Sequence, residues 1–529
     1  MTDVAASMPE AAFSSSGVDQ AIVRSRAVRL ITPALLTLVF FGALVLGMTG
    51  NVALAALPIV AGLAAVGLWW LPVRVPLYAV LALGLLADVG GPVPVPASNP
   101  VLAPVRLLKE VLLENLNGIT GVQALRVSGL DVVLLALTVL LFARVLARVP
   151  ESLDTPPPLL RPLLLALGAA FAVLVIAELW GIGRGGDVRQ SVWQIRYVLW
   201  VPLLSVLAML VVRTLQHVTE IAFVLTGVAL CKTAIGVYVY FWSLRHGHGV
   251  PHSVTSHADT MLFAVVVALW SAVLVLRPSA GRLLMGVPAL VAMLLAIVVN
   301  NRRTAYVSVG LALFLLLLHV PRRTQRRALL LLAAVSPLFA GYMLVGASRS
   351  GGVFAPAAAI WSVTRQSDGS SDSRDVENYN LTLTLRGNLP LGSGFGHMYD
   401  EGPAAYDLTD VFAQFRYVAH NSILWLLAIL GPLGFFVLWL PIAVGTYFAA
   451  LAHRFADAAP RASTVRIAAY VVIATLAAYQ VQAYSDMGTQ GWTGTTLVAL
   501  ALASTAVLVR ETGAWRGVPR PSPHQGVNA

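Results

Sequence analysis

Over most of this chain the apolar residues come neither in alternation nor on one face of a helical period. They come in unbroken runs of roughly 20 residues, each long enough to cross a bilayer as a helix. The runs begin near Leu30, Asn51, Val75, Leu130, Leu159, Ser191, Val218, Ala258, Leu283, Thr304, Ala328, His420, Val465 and Gly491. Lipid offers a backbone no hydrogen-bond partner, so each run predicts a helix. One long stretch breaks the pattern. Residues 348–419 are polar, and they separate the run at Ala328 from the run at His420.

The arginines between runs fix an expected orientation, because cytoplasmic loops carry the excess of positive charge. With a cytoplasmic N-terminus, the inside loops hold Arg74, then Arg144, Arg148 and Arg161, then Arg213, then Arg277 and Arg282. Arg322, Arg323, Arg326 and Arg327 follow, then Arg454, Arg461 and Arg466, and finally the C-terminal Arg510, Arg516 and Arg520. The predicted fold class is therefore all-α integral membrane, with about 14 transmembrane helices and a large extracytoplasmic insertion between the eleventh and twelfth. The expected divisions are a cytoplasmic tail over 1–29, helices one to eleven over 30–346, the extracytoplasmic domain over 347–419, helices twelve to fourteen over 420–510, and a cytoplasmic tail over 511–529. Residues 1–23 and 511–529 are small and polar and are expected to be disordered. Residues 105–114 place apolar side chains at helical spacing with charges between, which predicts a helix along the outer interface.

Composition narrows the class. The chain is 58% hydrophobic and only 11% charged. Its formal net charge of +11 resides in the inter-helix arginines, with Lys109 and Lys232 the sole lysines, so nucleic acid is not the expected partner. Cys231 is the single cysteine and excludes a disulfide framework. Arg24, Arg26 and Arg29 precede a full-length apolar run, which reads as a signal anchor rather than a cleavable signal.

Ionisable residues within the runs lean toward one end: Asp88, Glu178, Arg196, Asp259, Arg303 and Asp486. Charges at membrane depth are costly and mark cavities or pathways; alternatively they snorkel to the interface. His420 opens a run, beside the positive end of a helix dipole that disfavours imidazolium. A neutral ring there can take a proton as a general base, or the histidine simply ends the loop. Asn421 is positioned to cap the helix or to orient the ring. Arg302 and Arg303 sit at an outer turn against the charge rule. Arginine's planar fork grips phosphate oxygens, although lipid headgroups would serve as well. Arg245 and Arg196 are further outer arginines. The loop with His246, His248, His252 and His257 fits no standard zinc spacing, and no metal or other cofactor is expected. The acidic run 368–377 lacks the pattern of a calcium loop and reads as solvated surface. Gly392, Gly394 and Gly396 permit either a tight structural turn or close approach to a phosphate. Lys232, mid-run, either lines a cavity or pairs with a carboxylate such as Glu178.

The order of these pieces resembles a known family. Arg303-Thr304-Ala305 opens a run and is followed by an outer domain containing Ser373-Arg374. Then come Pro390-Leu391-Gly392-Ser393-Gly394-Phe395-Gly396, His420-Asn421 and Gly431-Pro432-Leu433-Gly434. This set is similar to the O-antigen ligase and O-antigen polymerase superfamily of polytopic bacterial envelope glycosyltransferases, most clearly from about Val298 to Leu440. The resemblance implies metal-independent glycan transfer from an undecaprenyl-pyrophosphate-type lipid donor at the outer face of the cytoplasmic membrane, and direct displacement of the pyrophosphate would invert the anomeric centre. The acceptor would be a glycan, lipid or protein hydroxyl. It implies His420 as general base and Arg303 as the pyrophosphate-binding arginine. Arg245 is a second match, weakened because Ser256-His257-Ala258-Asp259 stands where the family often shows Pro-Asn. Arg302 and Arg196 are further candidates for the pyrophosphate, with Asn421, Arg374 and Gly394 in support. Span count leans toward a polymerase over a ligase. The alternative from another class is a transporter or flippase of lipid-linked glycan, for which repeated halves and midplane sites are expected.

Overall fold

The computed structural model describes residues 71–89, 95–96, 99–116, 127–146, 157–249, 251, 254–300, 302–348, 357, 369–403 and 414–516. The expected runs near Leu30 and Asn51, the N-terminal tail, residues 517–529 and His252 lie outside them. The described residues form helices and no strand. In order these are α1 (Arg74–Ala87), α2 (Ala103–Leu112), α3 (Gly129–Leu146), α4 (Arg161–Gly183), α5 (Val188–Val211), α6 (Leu215–Arg245) and α7 (Asp259–Leu276). Then come α8 (Ala280–Asn300), α9 (Arg303–His319), α10 (Arg322–Ser348), α11 (Gly369–Gly387), α12 (Ser422–Arg454), α13 (Ala462–Ser485) and α14 (Trp492–Thr512). Eight of them, α4 to α8 and α12 to α14, are long and apolar enough to cross a membrane, and α1 and α9 are shorter apolar helices. The expectation of about fourteen spans exceeds what the described helices show. Within the tail expected from residue 511, α14 continues to Thr512. Thr512 and Ala514 are buried, and Trp515 packs 5.9 Å from Phe448, ring centre to ring centre.

The chain divides into two units. The smaller comprises Met1–Leu77, Leu116–Val127 and Asp131–Pro156. Within it the buried Arg144 donates to the Leu71 carbonyl at 2.7 Å. The larger comprises Tyr78–Asn115, Ser128–Leu130 and Pro157–Ala529, and holds everything that follows. A helix does form over most of the expected 105–114, as α2, and none of its residues is buried.

In the larger unit α14 is buried along its whole apolar window and packs against α5, α12 and α13. A helix apolar on every face belongs in the interior. Its serines and threonines are small enough for close approach; Ser504 returns its hydroxyl to Leu500 O at 2.7 Å, while Thr493 Oγ1 donates to Asp88 Oδ2 at 2.9 Å.

α12 breaks after its third turn. Gly431 takes φ 65°, ψ 172°, and Pro432 has no N–H to give. The break orphans the carbonyls of Ala428 and Ile429. The glycine segment fills the gap: Ser393 N donates to Ala428 O at 3.0 Å, and Gly394 N to Ile429 O at 2.9 Å. Phe395 N reaches Ala177 O of α4 at 3.3 Å, and Gly396 N reaches Oε1 of Gln194 on α5 at 2.5 Å. The fully buried Phe395 and Trp425 meet in the core beneath. The glycine motif is thus a structural clasp joining α4, α5 and α12. Of the two readings of the glycine motif, the tight structural turn is the one that these hydrogen bonds build. Gly394 has φ +81°, and a Cβ there would lie 2.4 Å from Gly181 Cα and 2.5 Å from Gly181 N. Both neighbours are backbone and cannot swing aside. Gly394→Ala is expected to cost about 3 kcal/mol, from the left-handed backbone and from overpacking together. Thermal unfolding of the detergent-solubilised protein checks it; a melting temperature equal to wild type defeats the clasp.

Lys232 is buried and pairs with Asp259 at 2.5 Å, with Asp88 O at 2.7 Å. Glu178, the carboxylate named as an example, instead accepts from Ser191 Oγ at 2.6 Å. Sequence spacing could not choose between them, because the partner is set by which helices adjoin: α6 packs on α7.

Candidate active site

The termini of many helices meet at one end of the larger unit. α8 finishes at Asn300, whose Oδ1 accepts from Val254 N at 3.3 Å and Thr255 N at 3.2 Å. That clamp shapes the turn before α7 and presents His257. His257 Nδ1 donates to Asp486 Oδ2 at 2.8 Å, and His257 Nε2 accepts from Arg302 Nη2. Asp486 ends α13, and its carbonyl accepts from Ser422 Oγ, the first residue of α12, at 3.2 Å. Loop 254–257, the α8–α9 turn, the end of α13 and the start of α12 are therefore one assembly.

His420 stands at the start of α12. Asn421 caps the helix, its side chain accepting from Leu424 N at 3.1 Å. Glu377 of α11 accepts from His420 N at 3.0 Å and faces His420 Nδ1 at 3.2 Å. With Nδ1–H held by the carboxylate, Nε2 keeps its lone pair. The imidazole is about a third exposed, while Glu377 is nearly buried. Glu377 shares a buried stripe with Asn380, Leu381 and Thr384, the i, i+3, i+4, i+7 face on which α11 packs against α12. The solvated surface expected for the acidic run is corrected here, since its last residue is buried against the histidine. The signal lay in that helical phase: a lone carboxylate on an otherwise apolar and small-polar face.

Electrostatics favour an anion. Arg302 is half-buried, and its Nε has no hydrogen-bond partner among the described residues. Burial first, and the charge of Arg374 after it, lower its pKa, with Asp486 opposing; it remains a cation. Burial raises Asp486, but hydrogen bonds from His257 and Met487 N outweigh it and hold the carboxyl below its ordinary range. Burial, then the Glu377 carboxylate, pushes the Tyr399 phenol well up; its buried hydroxyl also lacks a partner among the described residues.

The other candidates fall as follows. Arg303 opens α9 directly after Arg302. Arg374 lies on α11, close enough for its charge to act on Arg302. Arg196, on α5, holds its guanidinium 5.2 Å from the Tyr197 ring centre. Arg245 is exposed at the last residue of α6, and no hydrogen bond or ion pair joins it to this cluster among the described residues. Of the described loop histidines, His246 and His248 stack on Trp242 at 4.0 and 5.5 Å, while His257 joins the cluster. Grouping it with them in sequence hid its partner, Asp486.

Helices of membrane length with a polar cluster gathered at their ends define a membrane protein that is helical through its described residues. Residues 288–440 match the family described as O-antigen ligase, which supports the O-antigen ligase and polymerase superfamily and implies a glycan-transferring enzyme. The matched segment contains Arg302, Arg303, Arg374, Glu377 and His420; His257 and Asp486 lie outside it. No curated protein matches the chain.

Glu377 holds both the ring and the backbone N–H of His420. Glu377→Gln can accept from only one of the two donors it now serves. A fall in kcat of about 10–100-fold is expected, with donor KM unchanged and partial recovery in Glu377→Asp. Wild-type kcat in Glu377→Gln would falsify the role.

Proposed function

We propose that this chain is a glycosyltransferase acting on an undecaprenyl-pyrophosphate-type lipid-linked glycan at the outer face of the cytoplasmic membrane. It transfers or polymerises that glycan onto an acceptor hydroxyl. The observation that carries the reading is the His420–Glu377 pair at the start of α12, linked through Ser422, Asp486 and His257 to the half-buried Arg302. His420 Nε2 takes the proton of the acceptor hydroxyl as the acceptor oxygen bonds to the anomeric carbon. The bond from that carbon to phosphate breaks, and the lipid pyrophosphate leaves with the electron pair. Attack from the side opposite the leaving group inverts the centre. Glu377 stabilises the imidazolium that forms, as the buried carboxylate of a catalytic triad does. Arg302, with Arg303 and Arg374 near it in the fold, offsets the charge that grows on the pyrophosphate, as preorganised cations aimed at developing charge. The chemistry is the same for a glycan, lipid or protein acceptor. The protein purified with a lipid-pyrophosphate glycan and an acceptor is expected to release the lipid pyrophosphate. Movement of the glycan lipid across vesicles without release would make the protein a flippase instead.

A further inference from the structure

At the other end of the larger unit is a cavity of about 830 Å³. α7 runs from the His420 end at Asp259 to Leu276, and Arg277 follows at the far end. α13 begins there at Ala462, and α8 at Ala280. The cavity's walls are apolar, from α6, α7, α13 and α14, and its mouth holds Arg277, Arg282 and Arg461. From Val265 to Arg277 along α7 it runs roughly 18 Å, at about 1.5 Å per residue. That is close to one leaflet, half of a hydrocarbon core about 30 Å thick. Phe223 and Met285 of its lining are 55% and 54% exposed, so the wall opens sideways to whatever surrounds the bundle.

The mouth is cationic and uncompensated. Arg277 Nη1 donates to Thr464 Oγ1 at 2.6 Å, and Arg282 Nη1 to the Arg277 carbonyl at 2.8 Å. None of the three arginines forms a salt bridge among the described residues. The neighbouring Asp457 is taken by Arg466 at 2.5 Å. Arginines that only orient the chain need no cavity behind them. Three guanidinium groups over an apolar pocket one leaflet deep match one chemistry, a phosphate ester carrying an acyl chain.

We propose that this cavity binds an anionic phospholipid of the leaflet opposite the His420 site. The headgroup phosphate lies on Arg277, Arg282 and Arg461, and an acyl chain lies between α6, α7 and α13. Basic pockets between transmembrane helices hold anionic headgroups in this way. The site is separate from the glycan chemistry and stands independently of it.

The test uses the purified full-length protein, delipidated in detergent, with dioleoyl phosphatidylglycerol and dioleoyl phosphatidylcholine offered together and bound lipid read by native mass spectrometry. Wild type is expected to retain phosphatidylglycerol about 10-fold better than phosphatidylcholine. Arg277→Gln/Arg282→Gln, on the exposed rim, should reduce that preference to about 2-fold. Ala468→Phe, which fills the cavity, should reduce retention of both lipids about 10-fold with an unchanged melting temperature. Inorganic phosphate at millimolar concentration should displace nothing. Equal retention of the two lipids by wild type overturns the proposal, as does an undiminished preference in the arginine variant. Displacement by phosphate alone would reduce the site to a simple anion site and overturn it equally. Should Ala468→Phe not fold, the arginine variant decides alone.

Discussion

His420→Ala is expected to lower transfer about 10²–10⁴-fold, the range a positioned general base contributes, while the protein stays folded. The imidazole is about a third exposed, so its removal opens no core cavity. The helix start survives, because the cap is made by Asn421 and not by the histidine. Glu377 keeps one of its two partners, the backbone N–H of residue 420, and is not left bare. Stability should therefore change little, and the loss should fall in kcat. Release of lipid pyrophosphate by the detergent-solubilised variant, with a thermal melt on the same preparation, separates chemistry from folding. Turnover at the wild-type rate by a folded His420→Ala protein removes the base from the mechanism. The same variant distinguishes the flippase reading, in which a side chain at one helix start has no proton to take and movement of the lipid would continue.

The start of α12 was legible because its signals are local. A polar segment ends in Asn421, an uninterrupted apolar run follows, and the cap forms as the residue type demands. The cluster at one end was legible as a shared lean of ionisable residues, since charges are costly anywhere else in a membrane helix. What the chain did not disclose was pairing across distance. Gly431 and Pro432 break α12. That residues 393 and 394 supply the two missing donors depends on α4, α5 and α12 being neighbours. Glu377 was passed over because its near neighbours in sequence are acidic and soluble in character, whereas its partner is 43 positions away. Lys232 needed a carboxylate, and both Glu178 and Asp259 lie toward the same end. Only the adjacency of α6 and α7 selects Asp259. Arg302 and Arg303 are adjacent in sequence, and nothing local says which one the fold binds to His257.

That choice gives the second large effect. Arg302→Ala is expected to lose about 10²–10³-fold in kcat/KM for the lipid-pyrophosphate donor, the loss typical when one preorganised charge-stabilising donor is removed. Arg302→Lys should recover only part of it, because an ammonium keeps the charge but lacks the planar fork that grips two phosphate oxygens. The argument rests on Arg302 being half-buried, with its Nε unused and the positive charge of Arg374 close by. A guanidinium so placed is better stabilised by an incoming anion than by the one carboxylate, Asp486, that reaches it through His257. Kinetics of Arg302→Ala and Arg303→Ala side by side decide the matter. If Arg302→Ala works as well as wild type while Arg303→Ala is inactive, the pyrophosphate belongs to Arg303, and Arg302 only holds the His257–Asp486 pair in place. A double-mutant cycle with Asp486→Asn then locates the holding function. A structural clamp would show coupling between residues 302 and 486 in the melting temperature and none in kcat/KM, whereas a phosphate-binding Arg302 tuned by Asp486 would show coupling in kcat/KM.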